Sequence, residues 1–346
     1  MLRELVALEP GKPVLREYED RAPGSDEVRV KVLYGAPKHG TEMQEFMGID
    51  PFLSNRFDNE YQLFLEDAAA KNKPFGMKLG NMWVGVIADM GKNVSGFKEG
   101  DRVAGYGHLR NTHTVKAADV LKMNARMTWK EAVCYDPAHF ALGGIRDGNI
   151  RLGDCVAVFG LGAIGMIAAQ MAKLAGASMV IALDPIEIRR KAALENGADA
   201  ALDPSAIDAG LELKKLSGRT GMDVILETSG SYIALHQAIR GIAYEGNIAV
   251  TGWYKECHGG INLGREAHFN QPNIIMSRAV SSPNRDYPRW DYGRIIKTCW
   301  DMLSAGLFKC ENIVNPVVPF DKAPETYKTI ETNPELSVKM GVDFSA

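Results

Sequence analysis

Residues 1 to about 34 and 83 to 104 alternate apolar and polar positions with the two-residue period of β-strands, whereas residues 54 to 74 are charged and look more helical. In EVRVKV at 27–32, Val28, Val30 and Val32 occupy one face of a strand and charged residues occupy the other. Turn-forming residues separate such segments, most densely in GKNVSGFKEGDRV at 91–103. This pattern predicts that the first part of the chain is rich in β-structure.

From about residue 150 onward, short apolar runs alternate with longer segments of helical period. The predicted strands are DCVAVF at 154–159, SMVIALD at 178–184, GMDVILETSG at 221–230 and GNIAVTGW at 246–253. Strands that alternate with helices at this spacing form βαβ units and a parallel sheet. The fold class is therefore predicted to be α/β, with a β-rich domain beside a doubly wound parallel sheet.

A glycine-rich turn follows the first of these strands. The run Gly160-Leu161-Gly162-Ala163-Ile164-Gly165 has the form GxGxxG, and Asp184 ends the next strand, 19 positions beyond Gly165. In such a fingerprint the glycines permit a tight turn, close approach of the backbone to a pyrophosphate, and close packing of the helix on the strand. The helix N-terminus adds free N–H groups for the phosphates. The pattern predicts a Rossmann domain that binds a dinucleotide.

Asp184 also indicates which dinucleotide is bound. A carboxylate at this position accepts hydrogen bonds from the adenosine ribose diol and repels a 2′-phosphate, so NAD is the predicted cofactor. The predicted cofactor-binding residues are Gly160, Leu161, Gly162, Ala163, Ile164, Gly165, Asp184, Arg189 and Thr228.

Composition and charge exclude several other classes of protein. The 346 residues are 46% hydrophobic and 24% charged, with a net charge of −3, so no basic field attracts nucleic acid or anionic lipid. No apolar run is long enough to span a membrane, and the N-terminus does not have the form of a secretory signal. The five cysteines are odd in number and show no CxxC spacing. We therefore expect free thiols and a cytoplasmic location.

The GxGxxG turn, preceded by a β-rich region that contains GFKEGDRV, resembles the medium-chain dehydrogenase/reductase superfamily. The resemblance covers essentially the whole chain. It implies a GroES-like catalytic domain at 1–145, a Rossmann NAD-binding domain at 146–282 and a return to the catalytic domain at 283–346.

Shorter strings resemble a bacterial, sugar-oxidising branch of the zinc-type alcohol dehydrogenases. They are YGAPKHGTE at 34–42, LGNM at 79–82, CYDPA at 134–138, GREAHF at 264–269 and DYPRW at 286–290. The resemblance implies NAD-dependent oxidation of a glycoside hydroxyl at C3 to a 3-keto sugar. The expected partner is a small-molecule sugar or glycoside, with no nucleic acid and no membrane, and a homo-oligomer is expected.

The zinc-ligand motifs of this superfamily are altered in the chain. His39-Gly40-Thr41-Glu42 stands where the family has CG[ST]D, Asn81-Met82 replaces the two usual ligands of GHE, and Asp136-Pro137 keeps an acid at the third motif. A catalytic zinc usually has three protein ligands. His39 and Asp136 are too few, so a metal-free site is predicted. A zinc bound by His39, Asp136 and a third residue such as Glu42 stays open.

Without zinc, a side chain must accept the hydroxyl proton. His39 is the first candidate base and Lys38 the second, because both lie on the loop that carries the family's metal ligand. The resemblance gives Thr41 a place in the proton relay, and Asp136 is expected to orient His39. The predicted substrate contacts are Glu42, Asn81, His108 and His268, with Glu266 and Arg289 as further polar candidates and Trp83, Tyr106 and Trp290 as candidates for stacking on a sugar ring.

The sequence leaves three alternatives to this function open. The first is a zinc-dependent polyol or alcohol dehydrogenase. The second is a zinc-free quinone or enoyl reductase of the same superfamily, which usually prefers NADPH and is therefore disfavoured by Asp184. The third is a non-enzymatic member that keeps the fold, which the intact glycine turn beside a filled proton-transfer position disfavours.

Overall fold

The computed structural model describes residues 1–67, 75–254 and 259–345, except for the side chains of His39 and Pro51. Its strands are β1 (Arg3–Glu9), β2 (Lys12–Glu17), β3 (Glu27–Ala36), β4 (Asn55–Asp58), β5 (Leu63–Glu66), β6 (Met77–Lys78), β7 (Met82–Met90), β8 (Arg102–Tyr106), β9 (Thr112–Lys116), β10 (Leu121–Lys122), β11 (Cys155–Phe159), β12 (Met179–Leu183), β13 (Ala200–Leu202), β14 (Met222–Glu227), β15 (Ile242–Val250), β16 (Asn273–Met276), β17 (Val314–Pro319) and β18 (Lys339–Asp343).

The helices of the described residues follow in the same order. They are α1 (His39–Phe46), α2 (Trp129–Val133), α3 (Tyr135–Asp147), α4 (Ala163–Leu174), α5 (Glu187–Glu195), α6 (Ala209–Leu216), α7 (Tyr232–Gly241), α8 (Glu266–Asn270), α9 (Tyr292–Ser304) and α10 (Ala323–Thr332). Within the part of the chain that the structure describes, none of them combines the length and apolar character that a bilayer crossing needs.

The chain divides into two compact units. The first comprises Met1–Ala125, Pro316–Pro334 and Lys339–Ala346, and the second comprises Arg126–Asn315 and Glu335–Val338. Residues 126–145 and 283–315 belong to the second unit, where α3 packs on α4 and α9 packs on α3. The predicted limits 1–145, 146–282 and 283–346 remain a proposal about which parts of the chain share a role.

The first unit is built mainly of antiparallel β-structure. Seven strands form one sheet, with β10-β8-β7-β3-β18-β17 in order and β9 also paired with β3, and β2-β1-β6 form a second sheet. Val28, Val30 and Val32 are all buried, as the alternation in EVRVKV predicts. A further core lies around α1 and α10, where the rings of Phe46 and Tyr327 meet edge to face at 5.0 Å.

The second unit contains a six-stranded parallel sheet in the order β13-β12-β11-β14-β15-β16. The four strands predicted for this part of the chain are β11, β12, β14 and β15, and the predicted α/β fold class is confirmed. The sequence did not reveal β13 and β16, because strands of three and four residues carry too little periodicity to be recognised. The eight-residue helix α6 was not predicted either. The strand order reverses between β11 and β14, so a crevice opens at the carboxyl ends of these two strands.

We expect the central position of β14 to appear in the stability of the protein. Ile225 on this strand is fully buried, and Ile225→Ala should lower the free energy of unfolding by about 2–5 kcal/mol because it leaves a cavity in the core. Ile233→Ala, at a side chain of α7 that is 62% exposed, should change it by less than about 0.5 kcal/mol. Urea denaturation of both variants checks this expectation, and equal losses would contradict the placement of β14.

Candidate functional site

The turn that follows β11 requires glycine at two of its positions. Gly160 has φ +87°, and a Cβ there would lie 2.7 Å from the backbone nitrogen of Ser229. A Cβ on Gly165 would overlap the carbonyl oxygen of Gly160, so only glycine lets α4 begin this close to the strand. Gly162 borders open space, which leaves its backbone accessible to a ligand. These features fit the turn, close-approach and packing roles that the fingerprint predicts.

The first turn of α4 fits a dinucleotide pyrophosphate. Met166 N donates to Gly162 O at 2.9 Å, which is the first bond of the α-helical ladder. The N–H groups of the preceding residues, Ala163, Ile164 and Gly165, point out of the helix end as those of any first turn do. No acidic residue lies in this turn, so nothing there repels an anion.

Asp184 follows β12 and is 3% exposed. Its carboxylate accepts hydrogen bonds from Leu161 N and from Ile186 N, both at 2.8 Å, so it ties the glycine turn to the next loop. The Arg189 guanidinium lies 3.6 Å from this carboxylate and also donates to Ser337 O at 3.0 Å. The positions that would recognise the adenosine ribose therefore combine an acid with a neighbouring arginine.

Thr228 connects the glycine turn to the loop after β14. Its hydroxyl donates to Gly160 O at 2.6 Å and lies 3.0 Å from Phe159 O. The side chain is thus committed to backbone atoms of the turn. Thr228 shapes the predicted cofactor site by holding that backbone.

In the first unit, the predicted proton-transfer loop runs into α1. Lys38 is the residue before the helix, His39 is its first residue, and Thr41 lies exposed in its first turn. The side chain of His39, the first candidate base, lies outside the described part of the structure. Two side chains of the first unit bind the backbone of this loop.

The first of these groups is the Glu42 carboxylate. It accepts hydrogen bonds from Lys38 N at 2.5 Å and from Gly80 N. Burial raises the pKa of Glu42, and the two N–H donors oppose that rise. Glu42 is therefore turned toward the protein backbone, and its contact with a substrate stays a prediction.

Lys339 is the second group and was missed by sequence analysis. This lysine at the start of β18 is 3% exposed, and its ammonium donates to Pro37 O at 2.7 Å. Lys339 and Glu42 together hold the single peptide group that joins Pro37 to Lys38, the first through its oxygen and the second through its N–H. A lysine in the apolar strand KMGVD was the only sequence signal for it.

The family's second ligand motif is occupied by residues that do not suit zinc. A Cβ on Gly80, which has φ +125°, would overlap the backbone nitrogen of Leu109, and Met82 is fully buried. The Asn81 Nδ2 group is buried and has no hydrogen-bond partner among residues 1–67, 75–254 and 259–345. Among the described side chains, which do not include that of His39, no three of His, Cys, Asp or Glu cluster as metal ligands. An amide and a buried thioether do not fit the family's zinc, and a metal-free site remains a prediction.

Several other predicted substrate contacts are engaged elsewhere. His108 Nε2 lies 2.7 Å from a Glu4 oxygen, and burial lowers the pKa of His108 while Glu4 opposes that change. The Trp83 ring is buried and stacks on His113, so it cannot stack on a sugar. The Trp83 ring is thereby ruled out as a stacking platform, whereas a contact between His108 and the substrate stays a prediction.

The remaining candidates lie in the second unit, apart from Tyr106, which is 44% exposed in the first. His268 is exposed on α8, and Glu266 pairs with Arg240 at 3.2 Å. Trp290 lies between two arginines, with the guanidinium of Arg146 at 3.7 Å and that of Arg294 at 4.2 Å from its ring centre. An occupied ring face makes Trp290 a poor platform for a pyranose.

Asp136, the predicted orienting acid, is in the first turn of α3. It is 6% exposed and contributes to raising the pKa of Tyr292, whose main cause is burial. Asp136 belongs to the second unit, whereas Lys38, His39 and Thr41 belong to the first. The pairing of Asp136 with His39 therefore stays a prediction.

Known proteins similar in sequence to the chain are dehydrogenases. D-guloside 3-dehydrogenase of Escherichia coli (strain K12) is 48% identical over 350 residues, which cover 99% of this chain and 100% of that protein. D-guloside 3-dehydrogenase of Shigella flexneri matches to the same extent, at 48% identity over 350 residues. The family described as zinc-binding dehydrogenase matches residues 163–290.

Solved structures share the architecture over the full length. The 2R,3R-butanediol dehydrogenase from Bacillus subtilis has a TM-score of 0.77 and 20% identity, and covers 99% of both chains. Galactitol-1-phosphate dehydrogenase from Escherichia coli has a TM-score of 0.77 and 18% identity, also over 99% of both chains. At such identities these matches establish the fold.

The pairing of Asp184 with Arg189 generates a prediction about cofactor choice. The protein should use NAD far better than NADP, and Asp184→Ala should shrink that preference by about 10- to 100-fold because hydrogen bonds to a charged group are lost and Arg189 is freed to bind a 2′-phosphate. The ratio of kcat/KM for the two cofactors measures it. The double variant Asp184→Ala, Arg189→Ala is the control and should lose the gain toward NADP. A wild-type preference for NADP would overturn the prediction.

Proposed function

Because the chain belongs to the zinc-type medium-chain dehydrogenases and is a nicotinamide-dependent dehydrogenase, we propose that it oxidises the C3 hydroxyl of a glycoside such as a D-guloside to a ketone. The observation that carries this proposal is the 48% identity to D-guloside 3-dehydrogenase, which extends over 99% of this chain. Similarity of that extent includes both the cofactor turn and the altered loop at 37–42.

The proposed electron acceptor is NAD. When bound, NAD accepts the two electrons and the hydrogen that leave the carbinol carbon. The residues that would hold it are the turn at 160–165, the N-terminus of α4 and Asp184. The support for NAD over NADP is the buried Asp184 carboxylate, whose charge would repel a 2′-phosphate.

The proposed base is His39, with Lys38 as the second candidate. Neutral imidazole accepts a proton near neutral pH without a large change in its pKa. The support from the structure is indirect: the backbone that carries both residues is fixed by Glu42 and Lys339, and a fixed backbone holds a base within reach of one hydroxyl. Thr41 would relay the proton onward, and Asp136 would stabilise the imidazolium.

A sugar substrate needs polar partners close to the loop that carries the proposed base. Asn81, which directly precedes β7, supports the proposal best. Its buried Nδ2 donor lacks a hydrogen-bond partner among the described residues. A sugar hydroxyl would satisfy that donor. His268, Glu42 and His108 stay proposed contacts, although the last two already have hydrogen-bond partners in the protein.

We further propose that the protein acts in the cytoplasm as a homo-oligomer. Cys134, Cys155, Cys299 and Cys310 are free thiols in the described part of the chain, which suits a reducing compartment.

The experiment that tests the function is a screen of NAD reduction over a panel of glycosides. D-gulosides, glucosides and galactosides should be compared with L-threonine and 2,3-butanediol, and NMR should locate the new carbonyl group. We expect turnover on glycosides with the ketone at C3. Turnover confined to the amino acid or the diol would refute the proposed substrate class.

His39→Ala should lower kcat on the best glycoside by about 10²- to 10⁴-fold, the usual contribution of a general base. The dissociation constant of NADH, measured by its fluorescence, should stay nearly unchanged because the turn that would hold the dinucleotide is in the other unit. In the wild type, oxidation should slow as the pH falls through the titration range of imidazole, about 6.5 in model peptides, since only the neutral form accepts a proton. Lys38→Ala is the comparison, and near-normal turnover of both variants would mean that the proton leaves by another route.

Removal of metal should leave the activity intact, because the residues at 81 and 82 do not suit zinc. Turnover should be measured before and after dialysis against a chelator, with the zinc content determined on the same samples. NADH binding serves as the control for intact protein. Loss of turnover on chelation, with recovery on addition of zinc, would favour the zinc-dependent alternative.

A further inference from the structure

Glu227 is a fully buried acid at the carboxyl end of β14. It stands beside the point where the strand order of the parallel sheet reverses, so the crevice at this edge opens next to it. A charged or polar group placed there without exposure to solvent must be satisfied by protein donors, because an unpaired one is costly to bury. The predicted roles of the cofactor-binding residues do not explain why an acid is buried at this position.

The Glu227 side chain binds the loops that follow two neighbouring strands. On the loop after β14 it accepts hydrogen bonds from Ser229 N at 2.8 Å, from the Ser229 hydroxyl, and from Gly230 N at 3.2 Å. From the loop after β15 it accepts the hydroxyl of Tyr254. Its main-chain oxygen accepts Thr251 N at 2.8 Å. A single residue thus fixes both loops on the β14–β15 side of the crevice.

The donors around Glu227 are suited to a lasting arrangement. Burial raises the pKa of Tyr254, and the neighbouring Glu227 raises it further, so the phenol keeps its proton and donates it. Gly252 has no room for a side chain, since a Cβ there would lie 3.1 Å from a Glu227 oxygen and overlap Gly230 N. The two loops are therefore packed against each other as well as hydrogen-bonded.

The same loop also touches the glycine turn. Thr228, the residue after Glu227, binds Gly160 O through its hydroxyl, and Gly160 packs against Ser229. In a Rossmann domain the first half of the sheet binds the adenosine half of the dinucleotide, and the second half of the sheet binds the other half. The loops that Glu227 holds belong to the second half.

We propose that Glu227 is a positioning residue for the nicotinamide half of the cofactor, acting through the loops after β14 and β15. It does not touch the cofactor in this proposal. Its carboxylate keeps residues 228–230 and 251–254 at the spacing in which they receive the nicotinamide ring. The adenosine half is held by the turn at 160–165 and by Asp184, and does not depend on Glu227.

The test separates the two halves of the ligand. ADP-ribose carries the adenosine, the pyrophosphate and the second ribose but no nicotinamide, so it reports the binding of everything except the nicotinamide ring. Glu227→Gln keeps the shape of the side chain but turns an amide group toward its donors. We expect the dissociation constant of NADH to rise about tenfold or more, with a loss of the fluorescence enhancement of bound NADH, while that of ADP-ribose changes by less than about twofold.

Two further variants complete the design. Tyr254→Phe removes one donor and leaves the remaining bonds of Glu227, so it should weaken NADH binding by about threefold, spare ADP-ribose, and decide the matter if Glu227→Gln does not fold. Asp223→Asn is the matched control: its exposed carboxylate is on the same strand at the opposite end and accepts Cys155 N at 2.8 Å. It should leave both ligands unaffected.

Equal weakening of NADH and ADP-ribose by Glu227→Gln and Tyr254→Phe would overturn the proposal, because it would show a general structural role. Unchanged NADH binding in both variants would overturn it as well. Neither measurement uses a sugar, so failure here is distinguishable from failure of the proposed substrate class.

Discussion

The loop after β14 packs directly against the glycine turn after β11, and this contact shapes the predicted cofactor site. Gly160 adopts a positive φ against Ser229, and Thr228 closes the gap with a hydrogen bond to the carbonyl oxygen of Gly160. Gly165 then lets α4 start directly above the strand. The turn held by this contact includes the accessible backbone at Gly162 and leads into the free N–H groups of α4. Asp184 binds the same turn through Leu161 N.

In the first unit, polar side chains bind backbone atoms of the predicted proton-transfer loop. Glu42 and Lys339 hold the peptide group between Pro37 and Lys38 from its two ends. Relatives that use zinc can place a metal at this point through three side chains. In this chain the amide of Asn81 and the buried side chain of Met82 occupy the second ligand motif. Hydrogen bonds from Glu42 and Lys339 hold the loop.

The fold, the family and the dehydrogenase activity could be predicted from the sequence and are confirmed. The reason is local: GxGxxG is specific when it joins a buried strand to a helix and an acid ends the next strand. The direction of individual side chains could not be predicted in this way. Glu42 and His108 looked like substrate contacts because they are polar and close to motifs, yet each has its partner inside the protein. The sequence around Glu227 did not indicate its proposed role, since one of its donors, the Tyr254 hydroxyl, comes from a loop more than twenty residues further along the chain.

The central claim is that the chain removes the hydrogen at C3 of a glycoside and passes it directly to NAD. A glycoside carrying deuterium at C3 alone tests this claim most directly, with the NADH product analysed by mass spectrometry and NMR. The account predicts that the NADH formed carries one deuterium at C4 of the nicotinamide and that the keto sugar has lost it. Unlabelled NADH, with deuterium retained at C3 of the sugar product, would contradict the account.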